Sequence, residues 1–196
     1  MFGLTKTQST ICEELIMEFN RLVTTPEQRE TLDYLELSLN IYVEERNELR
    51  DAETPLELLD AICDMYVTYI QLDKCISTNL SNDIKNYEED YAFEAWKRVG
   101  NNSLELDIFG ATVEVCRSNM TKVPLVSEVT DMYGKYWQDA ACDWIEDKYP
   151  GFQITTSLVD TVQGKRVLFK DQNGKVRKWF GFEEPQLDQF ITLQKR

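Results

Sequence analysis

Histidine is absent from the 196-residue chain. Its absence excludes Ser/His/Asp and Cys/His nucleophile systems, the HExxH zinc motif and an imidazole proton shuttle. The five cysteines, Cys12, Cys63, Cys75, Cys116 and Cys142, show no CxxC spacing and form an odd set. That pattern argues against structural zinc and a disulfide framework, and predicts reduced, mostly buried thiols. No stretch approaches the ~18 to 20 apolar residues of a bilayer-spanning helix, so no membrane association is expected. The opening segment MFGLTKTQSTICEELIMEFN lacks a basic start and a small-residue cleavage site and carries Glu13 and Glu14 within its apolar run. It reads as folded chain rather than a secretory leader, and a cytoplasmic location is expected. Positive charge is scarce: 21 Lys and Arg stand against 35 Asp and Glu, a net charge of -14. Such a surface repels phosphate backbones, so no nucleic-acid partner is expected. The same carboxylates suit hard divalent cations, which take oxygen ligands, although composition alone is more simply explained by solubility.

The length suits one domain, or one domain with a decorated tail, and an apolar share of 42% supplies a sizeable core. Helical spacing dominates the first half. Ile11, Leu15, Ile16 and Phe19 mark a first helix, and Thr25-Pro26 stops it and opens another. A second helix is expected over Glu27–Arg50, with Leu32, Leu35, Leu39, Val43 and Leu49 facing inward. Thr54 caps and Pro55 opens a third, expected to run to about Leu80 with Leu59, Ile62, Val67 and Ile70 as core positions. Helical spacing resumes over Leu104–Ser118, and one further aromatic-rich helix is expected over Glu128–Tyr149. Beyond Pro150-Gly151, runs at Ile154–Val162, Arg166–Lys170 and Lys175–Trp179 read as short antiparallel strands.

Two acidic runs stand out. Glu44 and Glu48 are four apart and Glu45 and Glu48 three apart, so all three can share one edge of the second helix. On the third, Glu57, Asp60 and Asp64 are spaced by three and four, and the two aspartates interrupt an otherwise apolar run. Like charges stacked this way cost an isolated helix about a few tenths of a kcal/mol per pair, and at a helix interface the cost is larger unless a cation neutralises them. Two antiparallel helices bearing such pairs suit one or two Mg²⁺ ions, with Mn²⁺ as a substitute. The plainer alternative places these acids on solvated faces or pairs them with Arg46, Arg50 and Lys74, the usual fate of helical charge runs.

Taken in order, Val43-Glu44-Glu45-Arg46-Asn47-Glu48-Leu49, Glu57-Leu-Leu-Asp60-Ala-Ile-Cys-Asp64 and Glu114-Val-Cys-Arg117-Ser118-Asn119-Met120-Thr121-Lys122 resemble the MazG-like all-α nucleoside triphosphate pyrophosphohydrolases, in their phage-type, phosphoribosyl-ATP-pyrophosphohydrolase-like branch. The RSNM(S/T)K signature, followed by Asp171-Gln-Asn-Gly174-Lys175-Val176-Arg177-Lys178 and Pro185-Gln-Leu187, is the most specific part. The resemblance implies a mainly α protein with a MazG-like helical bundle over 1–122, in which 80–103 is an inserted connector. A small C-terminal α+β extension over 123–196, with one helix and short antiparallel strands, follows.

It also implies a Mg²⁺-dependent hydrolase that cleaves a (d)NTP to the monophosphate and pyrophosphate, forms a homodimer, and works in a cytoplasm, that of the host if phage-encoded. Carried over by position, Glu45 and Glu48 are implied metal ligands with Glu57, Asp60 and Asp64, the second motif fitting in two registers, Glu57–Asp60 or ending on Asp64. Glu44 or Glu45 is the implied base for the attacking water. Asn119 and Lys122 are implied nucleotide contacts, and Arg117 either assists them or neutralises the carbonyl end of its own helix. Roughly fifty residues, Val123–Lys170, separate the signature from its closing segment, far more than compact domains commonly use. Two other readings stand beside this one: a non-catalytic acidic adaptor or inhibitor that imitates nucleic acid, and a hydrolase of the same fold restricted to dUTP or dUDP.

Overall fold

The computed structural model describes residues 3–76, 92–99 and 104–193. The chain is mainly helical with two small antiparallel sheets, and it divides into two compact units. The first is Met1–Cys116 with Pro185–Arg196, and the second is Arg117–Glu184. The boundary therefore falls six residues before the sequence-based one at 122, and the last twelve residues belong with the helices rather than with the extension. Within 117–184, ten Lys and Arg balance ten Asp and Glu, so the whole net charge of -14 resides in the sequence of the first unit.

In the first unit, α1 (Lys6–Val23) opens on a capping box in which the Thr5 hydroxyl accepts from the Gln8 amide and the Gln8 side chain accepts from the Thr5 amide. Its inward stripe is Cys12, Ile16, Asn20 and Val23, while Ile11 faces outward. A second Thr/Gln box builds the short α2 (Pro26–Arg29). The expected single helix over Glu27–Arg50 breaks here. Thr31 is extended, its hydroxyl accepts from the Tyr34 amide, and α3 (Leu32–Asp51) begins afresh. Its buried positions are Ser38, Tyr42 and Leu49, with Leu35 packed against the core, whereas Leu32, Leu39 and Val43 are exposed. Sequence hydrophobicity misplaced the phase because the buried stripe uses a serine and a tyrosine.

A three-residue turn leads into α4 (Pro55–Asp73), which packs along α3 and, on another side, against α1. This is the central helix: from Leu58 to Leu72 only Asp60, Asp64 and Gln71 escape full burial. The helix ends at Asp73 with Lys74 as its C-cap, short of the expected end at about Leu80, because the chain turns at Lys74–Cys75, where the Cys75 amide donates to the Leu72 carbonyl; most of the expected connector 80–103 lies outside the described residues. The described part of that connector, 92–99, is a helix (α5) that buries Ala92 and Ala95. From it Arg98 donates to the carbonyls of Leu49 and Ala52, satisfying the frayed end of α3.

Leu104–Leu106, expected to be helical, forms strand β1 instead, and helix α6 (Ile108–Thr121) starts after Asp107, whose carboxylate accepts from the Gly110 amide. The physical reason lies far along the chain. The C-terminal strand β4 (Ile191–Leu193) pairs antiparallel with β1, Glu105 opposite Thr192, and Asp107 donates its amide to the Phe190 carbonyl.

The second unit has two helices where one was expected. α7 (Val126–Tyr133) ends at Gly134, whose positive φ of 74° with an extended ψ is a backbone state that glycine adopts freely, and α8 (Trp137–Lys148) follows a single 3-10 turn. Strands β2 (Ile154–Thr161) and β3 (Gly164–Asp171) form a hairpin with unbroken one-to-one register, and Ile154, Val167 and Phe169 pack with Val129, Ala141 and Ile145. The expected strand Lys175–Trp179 is reduced to one bridge, Val176 opposite Lys170. Asp171 explains that turn. Its buried carboxylate accepts from the amides of Asn173 (2.9 Å) and Lys175 (3.0 Å) and from Arg177 Nε (2.8 Å), while the Arg177 guanidinium stacks on Phe152 and Tyr149.

Candidate functional site

The acidic motifs lie on the α3–α4 hairpin of the first unit. Thr54 caps α4 and Pro55 occupies its first turn, which fixes where the second acidic run begins. Glu57 turns back onto that cap: its Oε2 accepts from the amides of Glu53 (2.9 Å) and Thr54 (3.0 Å), and its own amide donates to the Thr54 hydroxyl. These backbone amides, Glu53 first, hold the Glu57 carboxyl below its usual range. Of the two registers, the one using Asp60 and Asp64 leaves that cap intact.

Asp60 and Asp64 sit one turn apart and half-buried. Asp60 stands between buried Leu59 and Ala61, and Asp64 between buried Cys63 and Met65. On α3, Glu45 and Arg46 are half-buried, and Glu44 and Glu48 are exposed. Arg50 pairs with its neighbour Asp51 at 2.8 Å, and Lys74 lies 3.5 Å from Asp73.

Two polar contacts join α4 to its neighbours. The Thr112 hydroxyl, from α6, lies 3.6 Å from the Cys63 sulfur, and Ser9 and Tyr66 hydroxyls meet at 3.0 Å. Burial raises the Cys63 thiol well above the ordinary range, and the charges of Asp64 and Asp60 add to the shift. Burial likewise pushes Cys116 to about 12, helped by Cys12 and Asp64. All five thiols are free, as the odd, unpatterned set predicts.

Among the described residues, no three Asp, Glu or Cys side chains converge closely enough to form a ready-made metal cage. The donor chemistry nevertheless fits Mg²⁺, which dehydrates reluctantly and is commonly held by one or two carboxylates with substrate phosphates and waters completing its shell. A pair such as Asp60 and Asp64 meets that requirement without a third protein ligand.

Arg117, Asn119 and Lys122 belong to the second unit, together with the closing segment. The two stretches that carry the signature are clamped to each other: Ser118 Oγ donates to the Glu183 carbonyl (2.7 Å), the Glu183 amide to Thr121 Oγ1 (3.0 Å), and Trp179 Nε1 to the Thr121 carbonyl (2.7 Å). Arg117 pairs with Glu183. Asn119 is buried, and Lys122 Nζ lies 5.6 Å from the Phe182 ring centroid, over which Lys178 Nζ also sits at 4.4 Å while bound to Glu184. Sequence reading missed Lys178 and Phe182 as neighbours of Lys122. The signal was the Trp179-Phe-Gly-Phe182 run: a Cβ at Gly181 would run into the Trp179 ring, so glycine there leaves the indole its place.

No known protein family matches this chain, and neither does any curated protein or solved structure. No helix among the described residues is long and apolar enough to cross a membrane.

Proposed function

We propose that the protein is a MazG-like, Mg²⁺-dependent nucleotide pyrophosphohydrolase acting on a (d)NTP. The observation that carries the reading is the placement of Asp60 and Asp64, two carboxylates one turn apart on an otherwise buried stretch of α4, beside the helix that bears Glu45 and Glu48. Two half-buried carboxylates one turn apart offer oxygen donors of the kind that a hard divalent cation takes, and Asp60 and Asp64 would hold Mg²⁺ there with substrate phosphates and waters completing its shell.

When bound, Mg²⁺ supplies charge neutralisation on the phosphate oxygens and a more acidic water. Glu45, half-buried on α3, or its exposed neighbour Glu44 takes the proton of the attacking water. The water oxygen bonds to the α-phosphorus, the bond to the oxygen bridging the α- and β-phosphorus breaks, and pyrophosphate leaves with that electron pair. Within the second unit, Lys122 presents a point charge of the kind that suits phosphate, 5.6 Å from the Phe182 ring centroid. Homodimer formation and a cytoplasmic site of action belong to the same reading.

The reading is tested by titrating the protein with Mn²⁺, with and without a non-hydrolysable triphosphate. Stoichiometric binding that disappears in both Asp60→Asn and Asp64→Asn supports it; unchanged binding in the variants removes it. The acidic-adaptor reading draws on a different observation, the confinement of the net charge of -14 to the first unit's sequence. It requires no metal stoichiometry and no effect of Glu48→Gln.

A further inference from the structure

The hairpin of the second unit has one covered edge and one bare edge. Thr161 pairs with Gly164 across a two-residue turn, so alternate residues of each strand direct their backbone groups away from the hairpin. On β3 these are Lys165, Val167, Phe169 and Asp171. The last three are used: the Val167 amide donates to the Pro124 carbonyl at 2.8 Å, the Phe169 carbonyl accepts from the Arg177 amide at 2.8 Å, and the Asp171 amide donates to the Lys175 carbonyl at 3.1 Å. On β2 the corresponding residues are Ile154, Thr156, Leu158 and Asp160. The Ile154 amide is taken by the Glu146 carboxylate at 2.8 Å. The backbone groups of the other three make no hydrogen bond to any described residue.

Proteins blunt such edges with lysine, proline, a bulge or a very short strand. Strand β2, Ile-Thr-Thr-Ser-Leu-Val-Asp-Thr, has none of these: its eight residues pair one-to-one with β3, Asp160 is its single charge, and Leu158 and Val162 at its turn end are exposed. We infer that β2 is an interaction edge and that its occupant is β2 of a second copy of this chain, added antiparallel to give a four-stranded sheet continuous across a two-fold axis.

Register and charge select that occupant. A two-fold axis through Leu158 sets Leu158 against its own copy and Thr156 against Asp160, so every outward backbone group of Thr156, Leu158 and Asp160 is paired. The two Asp160 carboxylates stay apart, each beside a threonine. The second unit has equal numbers of acidic and basic residues, so pairing here brings together two electrically balanced bodies, whereas the sequence of the first unit carries the entire excess of negative charge. One strand pair buries less than the roughly 800 Å² per partner of a standard stable complex, so the association is a concentration-dependent one. It is distinct from any pairing of helical bundles and does not depend on catalysis.

The test is sedimentation equilibrium of the full chain over a wide concentration range, with the variants Leu158→Pro and Leu158→Cys. Proline removes one outward amide at a position where an edge strand tolerates it. The expected result is a mass that doubles with concentration in the native protein and a loss of that step in Leu158→Pro. If the helical bundles also pair, the same step appears as dimer to tetramer. Directly opposed residues in a hydrogen-bonded antiparallel pair lie about 5.5 Å apart at Cα, within disulfide range, so Leu158→Cys is expected to form a covalent dimer under mild oxidation and Val162→Cys much less. The same mass in the native protein and Leu158→Pro at every concentration overturns the inference. So does equal cross-linking at 158 and 162, which remains readable if the proline variant fails to fold.

Discussion

Replacing Asp171 by alanine is the sharpest structural test of the second unit. The native carboxylate is fully buried and gathers four donors: two backbone amides of its own turn and two nitrogens of Arg177, whose side chain is 13% exposed. Alanine strands a nearly buried guanidinium between Tyr149 and Phe152 and leaves two turn amides without an acceptor. Breaking a buried pair from one side costs about 3 to 5 kcal/mol. A unit of this size has a stability of roughly 3 to 10 kcal/mol at about 0.05 to 0.15 kcal/mol per residue, so the change removes much or all of it. Urea unfolding followed by tryptophan fluorescence reads it directly, because Trp137, Trp144 and Trp179 all lie in 117–184. Asp171→Asn, which keeps an acceptor for the turn, is expected to cost less. The double variant Asp171→Asn with Arg177→Leu is expected to cost less than the sum of its parts. A loss under about 1 kcal/mol for Asp171→Ala would refute the claim that this carboxylate organises the turn.

Three other outcomes follow from the same geometry. The backbone amides of Glu53 and Thr54 hold the Glu57 carboxyl below its usual 4.5, so its contribution to stability is present above that value and is lost as pH falls through the folded pKa. Acid titration of the unfolding midpoint should therefore be shallower in Glu57→Gln than in the native chain, and parallel curves would contradict the cap. Burial keeps Cys12 near 11 and Cys116 near 12 and also raises Cys63 well above the ordinary range, so alkylation followed by mass spectrometry should label half-buried Cys75 and Cys142 first in native protein; early labelling of Cys63 would show that the bundle opens. Gly110→Ala puts a Cβ 2.6 Å from the Phe190 ring and 2.5 Å from Asp107 Oδ2, an overpacking expected to cost about 1 to 3 kcal/mol in thermal or urea unfolding. A neutral result would mean that the C-terminal return is loosely seated.

Local chemistry was the most legible part of the sequence. The Thr-Pro pairs at 25–26 and 54–55 mark helix starts, and the apolar run of α4 marks a central helix. The hairpin at 154–171 follows from β-branched runs either side of a glycine. Elements that depend on distant partners were not legible. Leu104–Leu106 has helical spacing but becomes a strand because Ile191–Leu193 lies beside it, a pairing across more than eighty residues that periodicity does not encode. The phase of α3 was hidden because Ser38 and Tyr42 are buried while Leu32 and Leu39 are not. In the candidate site, the spacing of Asp60 and Asp64 on one helix could be read from the sequence. The capping role of Glu57 was also written there as Thr54-x-x-Glu57, but it competes with the acidic pattern, and only the structure shows which use the side chain serves.

The central claim concerns which bond is cut. Phosphorus-31 NMR of each NTP and dNTP incubated with the protein and Mg²⁺ resolves the products in one spectrum. The account predicts matched growth of nucleoside monophosphate and pyrophosphate signals, abolished by Asp64→Asn and by chelation of the metal. Orthophosphate with nucleoside diphosphate, or no turnover of any nucleotide by protein that binds Mn²⁺ and is fully folded, would contradict it.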